Sequence, residues 1–319
     1  MIDIYSTNNS YKKVINRSLR MGWSVFRAAL LIGLSFIVLY PLIYMLSMAF
    51  RPQSQIYDPS IIWVPKTLTL ENIRKAWEII DYPKAFVISL RLNIISSILQ
   101  VITCSFAGYG FASFQFKFKK IFFSIVLFTM LIPSQIISIP TFMQFKNFDF
   151  FGIGSLIGLF TGTKLVCNLI DSSLTFYLPA VLGAGIKSGL FIFIFRQFFK
   201  GMPNELGDAA AIDGCGFFSC YIRIVVPNSL VVFIMATLLS SVWYWNDYFT
   251  ASIYMRNVQT ISTALANLSS VLSGGGTDAY QIVTTMQAGC LLSIFPILIM
   301  FILLQRFFVQ GVERAGIVG

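Results

Sequence analysis

The residues that most often do chemistry are missing or badly placed for it. Histidine is absent from all 319 positions, which removes the commonest general base and the commonest metal ligand together. Five cysteines, Cys104, Cys167, Cys215, Cys220 and Cys290, form no CxxC pair and are odd in number, so they read as small hydrophobes and imply no disulfide framework. No GxxxxGK[ST] phosphate loop and no HExxH occurs, and no long apolar run contains paired carboxylates. Neither a catalytic residue nor a metal ligand is expected.

Polar groups inside long apolar runs are few, and each admits two readings. Lys187 falls about nine residues into the run from about Phe176 to Phe199, roughly 14 Å along a helix. There it either lines a translocation path, beside Gly183, Gly185 and Gly189, or pairs with a carboxylate of a partner subunit. Arg91 stands near the start of another run and snorkels to the interface or meets a substrate. Trp243, Asn246 and Asp247, with Tyr244 and Trp245, carry rings and hydrogen-bonding groups suited to a sugar, but their length along the run puts them in an interfacial aromatic belt. Pro133, Pro140 and Pro296 break helical hydrogen bonds, and the kinks either frame a pore or are passive bends.

A second cluster lies between runs, from Gly201 to Pro227. Pro203 suits a first helical turn, Glu205 and Asp208 complement its positive end, and Ala209 to Ala211 propagate it. Gly214 then stops it with a left-handed cap, and a second short helix is predicted from about Phe217 to Pro227. A helix, a tight turn and a helix, with alanines that let another backbone approach, make a docking element at a membrane surface; the competing reading is an ordinary amphipathic interfacial loop.

The elements that must hold these residues are membrane spans. Only 11% of the chain is charged and 56% is hydrophobic, with a mean hydropathy of +0.77. A soluble domain carries about a quarter of its residues charged. The formal charge of +10 in so apolar a chain is a topology signal and leaves no case for nucleic-acid binding. Uncharged runs from Ala28 to Phe50, Leu92 to Phe116, Ile121 to Phe145, Ile224 to Asn246 and Ala279 to Gln305 are each about 23 to 27 residues, enough for a hydrocarbon core of about 30 Å. With the run from Phe176 to Phe199, facing other protein, the prediction is six transmembrane helices in an all-α polytopic membrane protein. Phe150 to Thr163 is short and glycine-rich, and is predicted to be a loop. The first run is too long and too late for a secretory signal core and is expected to stay on the mature protein.

Basic residues gather before the first span (Lys12, Lys13, Arg17, Arg20, Arg27), after the second (Lys117, Lys119, Lys120) and after the fourth (Arg196, Lys200, Arg223). These are alternate loops, which places both termini in the cytoplasm. In the long opposite-side loop from Arg51 to Lys84, Leu70 to Ile80 has a helical pattern with Ile73, Ala76, Trp77 and Ile80 on one side. Gly274 to Gly276 marks a flexible turn.

The Gly201–Pro227 stretch resembles the EAA loop of ATP-binding-cassette (ABC) importer permeases, in its sugar-importer form. Glu205, Leu206, Ala209, Ala210, Ile212, Asp213, Gly214, Ile224 and Pro227 match in place, with Asp208 for the usual glutamate, Cys215 for alanine and Tyr221 for phenylalanine. Arg196-Gln-Phe-Phe199, Ala107-Gly-Tyr-Gly-Phe-Ala112, Trp243-Tyr-Trp-Asn-Asp247 and the tail Arg306–Gly319 resemble the shorter, maltose-type permease of the carbohydrate uptake branch. The likeness runs from about Val25 onward, with 150–173 longer than that family usually has.

The resemblance implies a type I ABC importer permease fold in a bacterial plasma (inner) membrane. It divides the chain into a cytoplasmic segment 1–27, a six-helix permease domain 28–308 that includes the coupling loop 201–227, and a cytoplasmic tail 309–319. The implied partners are a second, different permease, two ATPase subunits that bind ATP and Mg, an external sugar-binding protein, a carbohydrate (by branch an oligosaccharide) and membrane lipid. No cofactor is expected on this chain itself. Coupling falls to Glu205, Leu206, Asp208, Ala209, Ala210, Ile212, Asp213, Gly214 and Pro227, and the tail from Gly311 would reach the ATPase interface. A rival, an ion-coupled secondary transporter of small polar solutes, would need intramembrane Asp, Glu or His, and the uncharged runs hold none.

Overall fold

The computed structural model describes the backbone of residues 3–58, 60–61, 63–163, 165–203, 205 and 214–316, and side chains within those stretches from 19 to 306. Among the described residues the regular structure is helical, apart from one antiparallel bridge between Phe148 and Cys167. The chain forms two compact units, residues 1–75 with 277–291 and residues 76–276 with 292–319.

In the first unit, α1 (Asp3–Ala49) is apolar on all sides from Ala28 onward and exposed at every position from Leu19 to Pro41. Such a helix is stable only with its surface in hydrocarbon or against another subunit. Its far end is fixed: Met45, Met48 and Ala49 are buried, and the Asn72 side chain donates to the carbonyls of Ala49 (3.1 Å) and Arg51 (2.8 Å), which a helix end leaves unpaired. Asn72 belongs to α2 (Glu71–Ile80), the helix predicted within the long loop. Its buried face is Asn72, Ala76 and Ile80, a strict i, i+4, i+8 row, while Trp77, expected on that face, is 42% exposed. The loop is tied by Lys66 to Asp58 (2.8 Å) and by Tyr57, whose hydroxyl donates to Asp278 (2.6 Å).

The second unit is built on α3 (Tyr82–Ser113). Its buried stripe of Ser89, Asn93, Ser96, Ser97, Gln100, Cys104 and Gly108 repeats every three to four residues, so small and hydrogen-bonding side chains face its neighbours, as in membrane helix packing. The unit also contains α4 (Lys119–Thr129), α5 (Ser134–Lys146), α6 (Ile153–Thr161), α7 (Leu174–Val181), α8 (Ser188–Lys200), α9 (Phe217–Asn228, with a π turn at Tyr221–Val225), α10 (Leu230–Trp245), α11 (Phe249–Tyr254), α12 (Ile261–Gly274) and, from residue 292, the last part of α13 (Ala279–Gly316). The main interfaces of α3 are with α8, α10 and α7. Gly108 makes the α3–α8 approach possible, since a Cβ there would stand 2.6 Å from the Phe195 Cβ.

Several spans depart from their prediction. Among the described residues three helices are long and apolar enough to cross a membrane, Leu19–Ala49, Tyr82–Ser113 and Ala279–Arg306, and counting two bent pairs as spans gives five. The predicted third span is α4 and α5, bent by 97° at Pro133, which caps α5 with extended backbone. Pro140 and Pro296 are absorbed inside helices. The predicted fourth span is not one helix either: α7 ends at Val181, and α8 starts after Lys187, whose φ of 58° is left-handed. Phe191 and Phe195 of α8 are wholly buried, which agrees with a segment facing protein. The predicted fifth span starts late, because α9 meets α10 at 81°. The expected loop at 150–163 contains α6, held by Gly154, whose missing Cβ leaves room for the Leu165 carbonyl.

Candidate functional site

The two flanks of the Gly201–Gly214 stretch close on one aromatic residue. Tyr109, near the end of α3, stacks on Phe217 with centroids 4.7 Å apart and on Tyr221 at 5.2 Å, both of α9, and meets Phe199 of α8 edge-on at 5.9 Å. The Tyr221 hydroxyl shares a 2.7 Å hydrogen bond with Ser105 of α3. Phe195, Phe199, Cys220, Val225, Val232 and Ala236 complete this core, so the chain before the loop, the chain after it and α10 move with α3 as one packed body. Arg196, on the α8 side, lays its guanidinium 3.9 Å from the centre of the Phe123 ring of α4.

Of the loop residues singled out by sequence, Leu206, Asp208, Ala209, Ala210, Ile212 and Asp213 lie outside the described residues. Glu205 is helical and exposed. Gly214 has φ +72°, in the left-handed region expected of a helix stop, and its α-carbon faces open space. Pro227 sits in the last turn of α9, where a missing N–H costs little directly after a π turn.

Where helices break, a cavity of about 380 Å³ opens. The α4–α5 bend, the segment Gly183–Gly189 between α7 and α8, and the α10–α11 junction all line it, and each exposes backbone that a continuous helix would use internally. Hydroxyls of Ser138, Thr141, Thr175, Ser188, Tyr244 and Tyr254 belong to its wall. Lys187 and Asp247 line it too, and among the described residues no ion pair joins them. The Asp247 Oδ1 accepts from the Thr250 N–H (3.2 Å), whereas its Oδ2 and the buried Ser188 Oγ have no partner among the described residues. Polar atoms left unpaired in a buried wall are sites where a hydroxyl-rich ligand or water is stabilised.

Lys187 and Asp247 therefore meet at one cavity, but the other two residues do not join them. Trp243 packs edge-on against Phe191 at 5.5 Å in the aromatic core, and Asn246 folds its side chain back onto the Val242 carbonyl (2.9 Å). The aromatic-belt reading fails for Tyr244 and Trp245, which are 8% and 4% exposed; Trp245 donates to the Ser293 carbonyl at 2.9 Å. Sequence reasoning missed the hydroxyl wall, although Ser134, Ser138 and Thr141 repeat at i, i+4 and i+7 in an apolar run. Arg91 is exposed on α3, away from this wall.

A membrane chain helical in its described residues, with a hydroxyl-bearing cavity at its helix breaks and a loop based on a packed core, fits a transport subunit. A model of the binding-protein-dependent transport system inner membrane component family matches residues 100–314, and the chain belongs to that family. It is a permease of the ABC importer class, a multi-pass inner-membrane protein that performs no chemistry of its own and works with an ATPase and a substrate-binding protein. It is 28% identical to the arabinooligosaccharides transport system permease protein AraQ of Halalkalibacterium halodurans, over 90% of this chain and 93% of that one. The lactose transport system permease protein LacG of Rhizobium radiobacter is also 28% identical, over 87% and 90%. A crystal structure of a bacterial ABC transporter involved in import of the acidic polysaccharide alginate superposes with a TM-score of 0.69 at 18% identity, covering 90% of this chain and 96% of that one. That likeness shows a shared ABC importer permease fold.

Proposed function

We propose that this chain is one of two different permease subunits of a carbohydrate importer, that its cargo is an oligosaccharide, and that the loop from Glu205 to Gly214, framed by Pro227, docks on a separate ATPase that binds ATP and Mg. The observation that carries the reading is the convergence of both loop flanks on Tyr109. A push delivered to the flanks of Leu206, Asp208, Ala209, Ala210, Ile212 and Asp213 then reaches α8 and α9, which are packed with α3 and α10, and α8 and α10 carry Ser188 and Tyr244 of the cavity wall. Closure of the ATPase pair around ATP turns the cavity outward, and hydrolysis resets it. Two relatives named for oligosaccharides and lactose, and a cavity rich in hydroxyls, support a neutral saccharide. In this reading both termini, 1–27 and 309–319, are cytoplasmic.

The ion-coupled rival gains one point from Asp247, a cavity-lining carboxylate just past the end of an apolar run. Family membership decides against it. The test is uptake by the full complex in proteoliposomes. Asp213→Lys with Gly214→Val should leave insertion and assembly intact and abolish ATP-driven uptake. Unchanged uptake in that variant would remove the docking assignment, and uptake driven by an ion gradient without the ATPase would restore the rival.

A further inference from the structure

Beside the first cavity lies a second of about 380 Å³, between the end of α5, the turn after it and α7. The two share Ile137, Thr141, Pro179 and Ala184 as a common wall. Each falls in the size range of a small-ligand site, about 300–1,000 Å³. We propose that the second cavity is a further saccharide subsite, so that this subunit holds consecutive rings of one chain; the proposal rests on the carbohydrate reading above.

Its chemistry is what a sugar ring needs. Gln144, in the last turn of α5, and Asn147, the cap residue after it, both line the cavity, and neither side chain has a partner among the described residues. A carboxamide offers a donor and an acceptor side by side, which matches two neighbouring hydroxyls. Phe148 and Phe151 line the same space and are perpendicular at 5.3 Å, so they offer apolar faces for the C–H side of a ring.

The turn is built to hold that geometry. Phe150 and Phe151 have φ of 54° and 60°, a conformation aromatic residues keep only where their surroundings impose it. Asp149 imposes it by accepting from the Gly152 N–H and the Ser155 hydroxyl, both at 3.0 Å, and Phe148 exchanges two 2.9 Å backbone bonds with Cys167. Farther along, Asp171 N–H donates to the Tyr254 carbonyl at 2.8 Å, and Tyr254 lines the first cavity.

The experiment uses the complete importer in proteoliposomes with ATP, and malto-, arabino- and galacto-oligosaccharides of two to four rings. Gln144→Ala with Asn147→Ala should lower the ratio of kcat/KM for four-ring over two-ring sugar about tenfold, the loss expected for a pair of hydrogen bonds, and leave two-ring uptake unchanged. Phe151→Trp should report four-ring but not two-ring sugar by a shift in emission. An equal effect on all lengths, or none on any, overturns the subsite while leaving the carbohydrate reading in place. Failure of the wild-type importer to take up any saccharide of the panel overturns the carbohydrate reading itself, and the subsite with it.

Discussion

Tyr109 and Phe217 lie face to face, 4.7 Å between centroids and 17° between planes, joining the end of α3 to the start of α9. This one stack decides whether the loop is a lever or a tether. Tyr109→Ala removes three ring contacts from a packed core and should cost about 3–5 kcal/mol locally. ATPase activity of the assembled complex should persist while uptake per ATP falls. Tyr109→Phe keeps the ring and loses the hydroxyl's weak 3.6 Å contact to the Cys220 sulfur and its interaction with Ser113, so uptake per ATP should stay near the wild-type value.

Two glycines of one motif should behave oppositely. A Cβ at Gly108 would stand 2.6 Å from the Phe195 Cβ and 3.0 Å from the Arg196 backbone nitrogen, whereas one at Gly110 meets nothing within 4 Å. Gly108→Ala should therefore lower the melting temperature of the solubilised protein, an overpacking cost of about 1–3 kcal/mol. Gly110→Ala should hold or raise the melting temperature, a gain in stability of up to about 1 kcal/mol through helix propensity alone. Equal melting of the two variants would mean that α3 and α8 do not approach as closely as described.

Helix positions were legible where a charge bounded an apolar run, as at the end of α1, and where apolar residues recurred at helical spacing, as at α2. The sequence could not show that the run from Phe176 to Phe199 is broken, because hydropathy sums over a window and does not register the backbone turn at Lys187. Gly183 and Gly185 were visible there, but as packing residues. Gly183 in fact takes a left-handed turn, and Gly185 leaves room for the Tyr244 hydroxyl. At 150–163 the error ran the other way: glycines that lower helix propensity are kept because Gly152 and Gly162 cap α6 and Gly154 admits a carbonyl. The cavity was half legible. Lys187 and Asp247 stood out as charges, whereas the hydroxyls facing them come from separate elements that only folding brings together.

The loop outside the spans carries a pH signature. The Lys66 ammonium, 2.8 Å away, and then the Ser60 hydroxyl and N–H hold the Asp58 carboxyl well below the usual carboxylate range. A depressed folded pKa stabilises the loop fully above the unfolded value, about 3.9, and the contribution is lost as pH falls from there through the folded value. The difference in protease resistance of the loop between wild type and Asp58→Asn should thus be constant from pH 7 to about 4 and shrink below that. Because the pair is exposed, 1 M salt should also reduce it. A difference already vanishing at pH 5 would show that Asp58 is not held in this way.

Asp171 clamps the segment after α6 to the turn after α11: its Oδ1 accepts from the Asn257 N–H and its Oδ2 from the Asn257 side chain, both at 2.8 Å. It does so from φ 64°, a conformation aspartate and asparagine tolerate better than alanine. Asp171→Ala should lose both bonds and add backbone strain, about 2 kcal/mol together, and increase hydrogen exchange at residues 255–258. Asp171→Asn keeps the backbone preference and one acceptor oxygen for the Asn257 N–H, so exchange there should rise by less than half as much in free energy. Asp171→Gly separates the two causes, since glycine relieves the strain and forms neither bond. If exchange in the glycine variant matches wild type, the clamp is a matter of backbone shape alone and the carboxylate is incidental.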